Sequence, residues 1–452
     1  MTITAPMTQG PIWKRITFFA LPVLVGTLFQ QLYSTIDSLI VGNYLGSAAL
    51  AAVSSTDALL FMLIGFVAGG SVGAGVVVAR YFGARRIAHM KSAIYTTIIL
   101  GLALGIFMTV AGIIITPKLL VWISTPDDVM EGSLVYLRIY FAGAIGLVMY
   151  NVLLGILQAL GDSKHPLYYL LVCSFINVAL DLLFIVKFGW GVGGAAFATI
   201  ISQFVSAVLC FLQLLYTKEI YRIRIRDIKP DLKIVKEIVR MGLPAGFQNS
   251  IIGFSNVIIQ NYINIFGAFV MAGCGAYIKI EGFVFLPVSS YSMALTTFVG
   301  QNLGAGEFDR IKKGARFGLI TSAVVSQLLG ILFLIYSEPL FALFDPNPEV
   351  IAAGTLKMRI CAPFFFALSY SYSIGGILRG ACKSMVPTVI MVTCWCVIRI
   401  VILLAIVPAT HNIVHVHALY SVTWVISSII SAGYYYFGNW LPDYRKDEKL
   451  AA

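Results

Sequence analysis

Twelve apolar blocks of about 20 to 28 residues dominate this 452-residue chain, each long enough to carry a helix across roughly 30 Å of hydrocarbon. They run near 15–43, 48–79, 92–116, 133–158, 166–187, 192–216, 240–264, 272–300, 314–337, 357–380, 387–408 and 416–438. Only 11% of the residues are charged against 59% hydrophobic, where a soluble domain carries roughly a quarter charged residues. Such a chain cannot clothe itself in a water-facing surface. The expectation is an all-α integral membrane protein with twelve transmembrane helices. The first block follows Lys14-Arg15 and is too long for the apolar region of a signal peptide, so it reads as a retained span.

The formal net charge of +11 could suggest nucleic acid, but its placement argues against that. Of the Lys and Arg residues, 24 fall at the termini and the even-numbered loops, such as Arg80/Arg85/Arg86/Lys91 and Arg310/Lys312/Lys313/Arg316. Five (Lys118, Arg138, Lys187, Lys357, Arg359) fall on the opposite side and two (Lys279, Arg399) within spans. Basic residues concentrate on the cytoplasmic side of membrane proteins. The bias predicts a plasma-membrane protein with an even span count, both termini in the cytoplasm, the bilayer as its setting and no nucleic-acid partner.

The two halves of the chain repeat at an offset of 221 residues. Gly83-Ala84 recurs as Gly304-Ala305, Arg138-Ile139 as Arg359-Ile360, and Gly155-Ile156-Leu157 with Pro166 as Gly376-Ile377-Leu378 with Pro387. Leu21-Pro22 answers Leu243-Pro244 with one residue slipped. Six spans per half make both halves enter and leave on one side, which predicts parallel repeats with a substrate path between them. The predicted organisation is an N-lobe at 1–216, a charged cytoplasmic linker at 217–239 and a C-lobe at 240–452.

A charge inside lipid costs at least a few kcal/mol, so each intramembrane ionisable group is a candidate for function. Asp37, Asp57, Asp181 and Glu281 are the acids at that depth. Asp37 and Asp181 each lie about six residues from the outer ends of spans 1 and 5, hence at one depth, roughly 9 Å inside the boundary. Two carboxylates sharing a dry pocket make a proton or cation site. Asn177 stands one turn below Asp181 on the same face, and Asn151 and Thr199 add neutral oxygens; the alternative is that these groups only bond helices together. Asp57 reads equally as a pocket residue or as a helix-start residue that snorkels. In the second half, Lys279 and Glu281 point to different sides of span 8, so the expected partner of Glu281 is Arg399, then Lys279. Pro22 and Pro244 remove a helix bond at repeat-related places and could be hinges for alternating access or static kinks.

Other features read as packing. Gly65, Gly69 and Gly73 recur every fourth residue on span 2, where close helix approach explains them better than a dinucleotide loop, since no strand precedes them. All seven cysteines sit inside apolar spans as small filler. His411, His415 and His417 cluster on an outer loop and could hold a metal, although an interfacial loop is the default. No span is expected to carry a His, and no cofactor or metal is expected.

With two six-span lobes in place, the chain resembles the multidrug and toxic compound extrusion (MATE) family over nearly its whole length. The resemblance rests on Leu21-Pro22 through Gly42 with the embedded Asp37-Ser38, on Ala48–Val53, on Gly155–Gly161, and on Phe298-Val299-Gly300-Gln301-Asn302-Leu303-Gly304-Ala305-Gly306. Its N-lobe looks like the DinF-like branch. That likeness implies a cation site of Asp37, Tyr136, Asn151, Asn177, Asp181 and Thr199, a bending Pro22, and a drug chamber lined by Gln30, with Asp57 and Gln248 placed alongside it. It further implies a V-shaped fold, a monomer, and export driven by inward H⁺ or Na⁺. Spans 7 and 10 contain no acid, which sets this chain apart from the branch with a C-lobe Na⁺ site.

The function expected is therefore antiport of amphipathic, often cationic compounds out of the cell. A flippase of lipid-linked precursors is the alternative, disfavoured because no extra span pair is present. A membrane-embedded enzyme would need a nucleophile–base pair or a metal cluster at membrane depth. A channel is disfavoured because the acids do not recur between the repeats.

Overall fold

The computed structural model describes residues 6–123 and 125–441, except for the side chains of Ser47, Ala48, Asp57, Ala58 and Val407. No strand occurs among the described residues. Twelve long helices follow one another. In the first half they are α1 Ile12–Leu45, α2 Ser47–Gly83, α3 Ile87–Trp122, α4 built from Asp127–Ala142 and Ala144–Ala159, α5 Lys164–Lys187 and α6 Gly191–Tyr216. The second half holds α7 Leu232–Asn264, α8 Ala268–Gly304, α9 Phe308–Ile335, α10 Pro348–Gly380, α11 Met385–Thr410 and α12 Ile413–Phe437. Ten are long and apolar enough to cross a membrane, and α4 joins them as a pair bent by 51°. Helix α7 completes the set; Gln248, Asn249, Asn256, Gln260 and Asn261 along its middle lower its apolar character.

The duplication is written into the backbone as well as the sequence. Three left-handed turn positions recur at the 221-residue offset: Gly46 and Gly267 (φ 86° and 97°), Arg85 and Gly306 (53° and 75°), and Gly161 and Cys382 (88° and 61°). One helix contact recurs too. Gly155 of α4 lies against Ser71 of α2, where a Cβ would stand 2.9 Å from the Ser71 carbonyl oxygen, and Gly376 of α10 meets Ser292 of α8 in the same way. In each repeat the fifth helix contains a π-helical stretch, Leu182–Lys187 in α5 and Thr393–Ile398 in α11.

The chain divides into two compact units, one holding Leu21–Gly246 and the other Met7–Ala20 with the chain from Phe247 onward. Helices α1 and α7 each begin in one unit and end in the other, and the crossings fall beside Pro22 and just after Pro244. In the first unit, Gly69 and Gly73 let α2 approach the start of α7 so closely that a Cβ on Gly69 would lie 2.5 Å from Ala245 and Gly246 backbone. That is the tight packing small residues permit. The connector before α7 is tied to the same unit: Arg80 Nη2 meets Glu237 Oε2 at 2.6 Å, the Arg224 N–H donates to Tyr95 OH, and the Asp231 N–H donates to Thr96 Oγ1. Residues 232–239, expected as linker, already belong to the first turns of α7.

In the second unit, the Met7 N–H donates to Gln301 Oε1 (2.8 Å), while Arg310 Nη2 (3.0 Å) and Asn302 Nδ2 (3.3 Å) donate to the Met7 carbonyl. The Gln301-Asn302 pair therefore clasps the segment that leads into α1. Each unit has its own apolar core, around Val41, Leu120, Leu137 and Phe141 in the first and around Tyr277, Phe341, Phe365 and Trp424 in the second. Large apolar side chains such as Phe107, Ile114, Phe175, Leu328 and Ile429 face outward, as helices bathed in lipid require.

Candidate cation-coupling site

Asp181 ends the regular part of α5, and the π-helical stretch begins at the next residue. Such local widening often marks functional sites. The Asp181 side chain is 0% exposed, and the charged group acting on it is Asp37 of α1, within hydrogen-bonding range. Neither Asp181 oxygen has a hydrogen-bond donor. Ionised carboxylates are acceptors only, so two of them in contact need a proton or a cation between them. Asn177, one turn before Asp181, is buried and both ends of its amide are without a partner. An unmade pair of buried hydrogen bonds costs about 1–3 kcal/mol each, which makes Asn177 a ready ligand for whatever sits between the acids.

Two residues join this site that sequence reasoning missed. The Tyr33 hydroxyl lies near both carboxylates and near the Gln30 and Gln203 amides. Tyr33 stands one turn before Asp37 and Gln203 one turn after Thr199, so the i, i+4 rule applied to the candidates would have found them. Gln30, expected in a drug chamber, thus also touches the coupling site.

The remaining expected ligands are placed differently. Tyr136 is buried and stacks on Tyr140 with ring centroids 6.2 Å apart. Asn151 turns its amide N–H onto the Leu147 carbonyl of its own helix at 2.9 Å. Thr199 is half-buried on α6. Gln248, placed with the substrate chamber by sequence, is 1% exposed and enclosed in the second unit, where Nε2 meets Met391 Sδ at 2.9 Å and Oε1 accepts from Thr388. The side chain of Asp57 lies outside the described residues.

The second unit holds a charge cluster of another kind. Tyr277 OH donates to Glu281 Oε1 at 3.2 Å, and the charged groups acting on Glu281 are Lys357 first and Arg399 second. Lys279 is exposed and takes no part. Lys357, read from sequence as an outer-loop charge, is 1% exposed, with its ammonium 4.5 Å from the Tyr277 ring centre and 4.8 Å from that of Tyr420. Its burial follows from α10 starting at Pro348 rather than near 357. Arg399 donates from Nε and Nη2 to Thr423 Oγ1 and packs over Tyr420 and Trp395. His417, expected on an outer loop, is buried on α12 beside Lys357 and 3.9 Å from Cys274 Sγ. A span does carry a histidine, and His411, His415 and His417 form no common ligand set: His415 bonds Thr410, and no metal-ligand group occurs among the described residues.

The MatE family model matches the chain twice, over residues 22–183 and 244–404, one match for each repeat. The chain is 27% identical over 443 residues to the probable multidrug resistance protein YoeA of Bacillus subtilis, covering 96% of both chains. It is 27% identical over 391 residues to the probable multidrug resistance protein NorM of Thermotoga maritima, covering 85% of this chain and 84% of that one. Its fold is that of a MOP superfamily transporter from Pyrococcus furiosus, with TM-score 0.89 at 22% identity over 95% of this chain and 96% of that one. The chain belongs to the MatE family: it is a multi-pass membrane transporter and not an enzyme.

Proposed function

We propose that the protein exports amphipathic, often cationic organic compounds in exchange for protons entering through the first unit, with both termini in the cytoplasm of a plasma-membrane protein. The relatives named as multidrug resistance proteins support the substrate class. The observation that carries the coupling is the Asp37–Asp181 contact, made without a basic residue acting on Asp181. A driving ion does work only through different affinity for two states of the carrier, and a buried carboxyl such as Asp181, with another acid as the charged group acting on it, is the group that can load and unload. A proton needs only that one contact. A hard cation such as Na⁺ wants a shell of oxygens; Asn151, a candidate for that shell, donates Nδ2–H to its own helix and would offer Oδ1. Na⁺ is the second reading, kept open by the free Asn177 amide.

The test is efflux from proteoliposomes with each gradient imposed alone. A proton gradient should drive dye accumulation and a Na⁺ gradient should not. Asp37→Asn keeps the side-chain size and removes the titratable charge; it should lower gradient-driven transport about a hundredfold, the upper range of coupling between two sites, in a folded, membrane-inserted protein. Normal gradient-driven transport by that variant would sink the first-unit coupling reading.

A further inference from the structure

A polar route leads from the acid pair toward the other end of the first unit. Tyr33 stands near both carboxylates, with Gln30 and Gln203 beside it. Gln30 also lines a cavity of about 60 Å³ together with Thr27, Tyr150, Gln158 and Ser163. A water needs roughly 15 Å³ of such volume and two or more polar partners. The cavity therefore has room for water, with hydroxyl and amide groups to hold it.

Next to Ser163 stands a buried carboxylate with a histidine on it. Asp162 has a side chain 1% exposed; its Oδ2 lies 2.6 Å from His165 Nδ1, and its Oδ1 accepts the His165 backbone N–H at 3.1 Å, closing the first turn of α5. The His165 side chain is 22% exposed. A carboxylate accepts only, so Nδ1 carries the hydrogen of that bond and Nε2 keeps the lone pair that takes up a proton. The groups near the dyad are Tyr169 on α5, which stacks on the His165 ring, and Gln213 and Cys210 on α6. Sixteen residues separate His165 from Asp181, about 24 Å of helix. His165 and Asp162 serve no purpose in the coupling site itself.

We infer that Asp162 and His165 form the proton exit of the first unit, passing to the cytoplasm the protons released by the Asp37–Asp181 pair. The inference rests on the proton-coupled reading above. One O–H bond breaks at the acid pair and one forms in bulk water. Between them the Tyr33 hydroxyl and the cavity waters each take one proton and give one, so they end unchanged. His165 Nε2 receives the proton, the buried Asp162 carboxylate balances the imidazolium, and the exposed ring hands the proton to water. Gln30 and Gln203 stand beside the Tyr33 hydroxyl and carry no proton.

The experiment uses the full chain in proteoliposomes with a pH dye on the cytoplasmic side and ethidium export as the driving reaction. His165→Gln should slow ethidium-linked proton appearance at least about tenfold, a modest share of what a positioned acid–base group contributes, with ethidium binding unchanged. Millimolar imidazole on the cytoplasmic side should restore much of the rate. Asp162→Asn keeps an oxygen for the α5 cap and removes the counter-charge; it should slow the same step and respond to imidazole less. An unchanged rate in a folded His165→Gln protein, or a slow rate that imidazole does not restore, would overturn the exit and leave the dyad a packing element. Ethidium export by the unaltered protein with no proton movement at all would overturn the proton-coupled reading, and the exit with it.

Discussion

The two six-helix repeats share turns, helix contacts and a π-helical fifth helix, yet they bury opposite kinds of charge. The first places Asp37 against Asp181 with neutral Tyr33, Gln203 and Asn177 around them. The second sets Glu281 under the electrostatic influence of Lys357 and Arg399, neither close enough for a direct ion pair, with aromatic faces over both cations. A buried acid pair is unstable in its charged form and so needs a visiting cation. A buried acid with two tethered bases already has its cations, one ammonium caged by Tyr277 and Tyr420 in the manner that aromatic rings hold cations. On the proposed reading, the duplicated scaffold yields one unit that exchanges an ion and one that has no need to.

The comparison breaks first if the difference in charge is irrelevant. Asn177→Lys would put a tethered ammonium one turn from Asp181 and give the first unit what the second has. That ammonium would substitute permanently for the travelling ion. Gradient-driven efflux should fall about a hundredfold, while downhill exchange of one compound for another survives in the folded protein. Efflux with the ordinary gradient dependence in Asn177→Lys would mean that the acid pair does not carry the driving ion.

A smaller effect is expected in the second unit, where the charges stabilise one another. Glu281→Gln leaves two buried cations without their carboxylate, which costs about 3 kcal/mol, the lower end for breaking a buried pair. Adding Lys357→Met should recover more of that stability than adding Arg399→Gln. Lys357 acts more strongly on Glu281, and Arg399 keeps its two bonds to Thr423 in either case. Thermal melting of the singles and doubles measures this, with interaction energies of about 0.5–3 kcal/mol expected for residues that share partners. Strict additivity would show that no such cluster exists. A folded Glu281→Gln/Lys357→Met protein should still export against a gradient; failure to do so would bring the second unit into coupling.

Much of this contrast was legible in the chain, and the exceptions have physical causes. The nearness of Asp37 and Asp181 could be reckoned because a helix rises evenly, so equal distances from span ends mean equal depth. Apolar length gave twelve helices, and the 221-residue offset gave their grouping. Lys357 and His417 were misplaced because hydropathy locates apolar centres, not helix ends: α10 starts nine residues before Lys357, and α12 starts four before His417. Neither charge disturbs a span long enough to bury it. Spacing put Asn151 near the site, but spacing cannot say that its amide bonds Leu147 one turn back. The Asp162–His165 pair was invisible for another reason. It lies in the short stretch between two apolar blocks, and only the fold shows that Asp162 is enclosed.

The smallest effects are expected where the repeats match in backbone and differ in side chain. Arg85 and Cys382 hold left-handed conformations that the sister repeat assigns to Gly306 and Gly161. An L-residue with a Cβ strains in that region by roughly 1–2 kcal/mol, whereas glycine does not. Glycine also loses more freedom on folding, by roughly 0.5–1 kcal/mol. The net gain for Arg85→Gly or Cys382→Gly is therefore under about 1 kcal/mol, and the converse changes Gly306→Ala and Gly161→Ala should lose a similar amount. The space around Gly306 is open, so no clash confuses Gly306→Ala. Thermal melting in detergent, with transport unchanged, is the measurement. Opposite signs for the two directions would show that one backbone template governs both repeats and that drift in side chains, not in turns, made their buried charges differ. Equal signs would mean that each repeat has retuned its turns to its own neighbours.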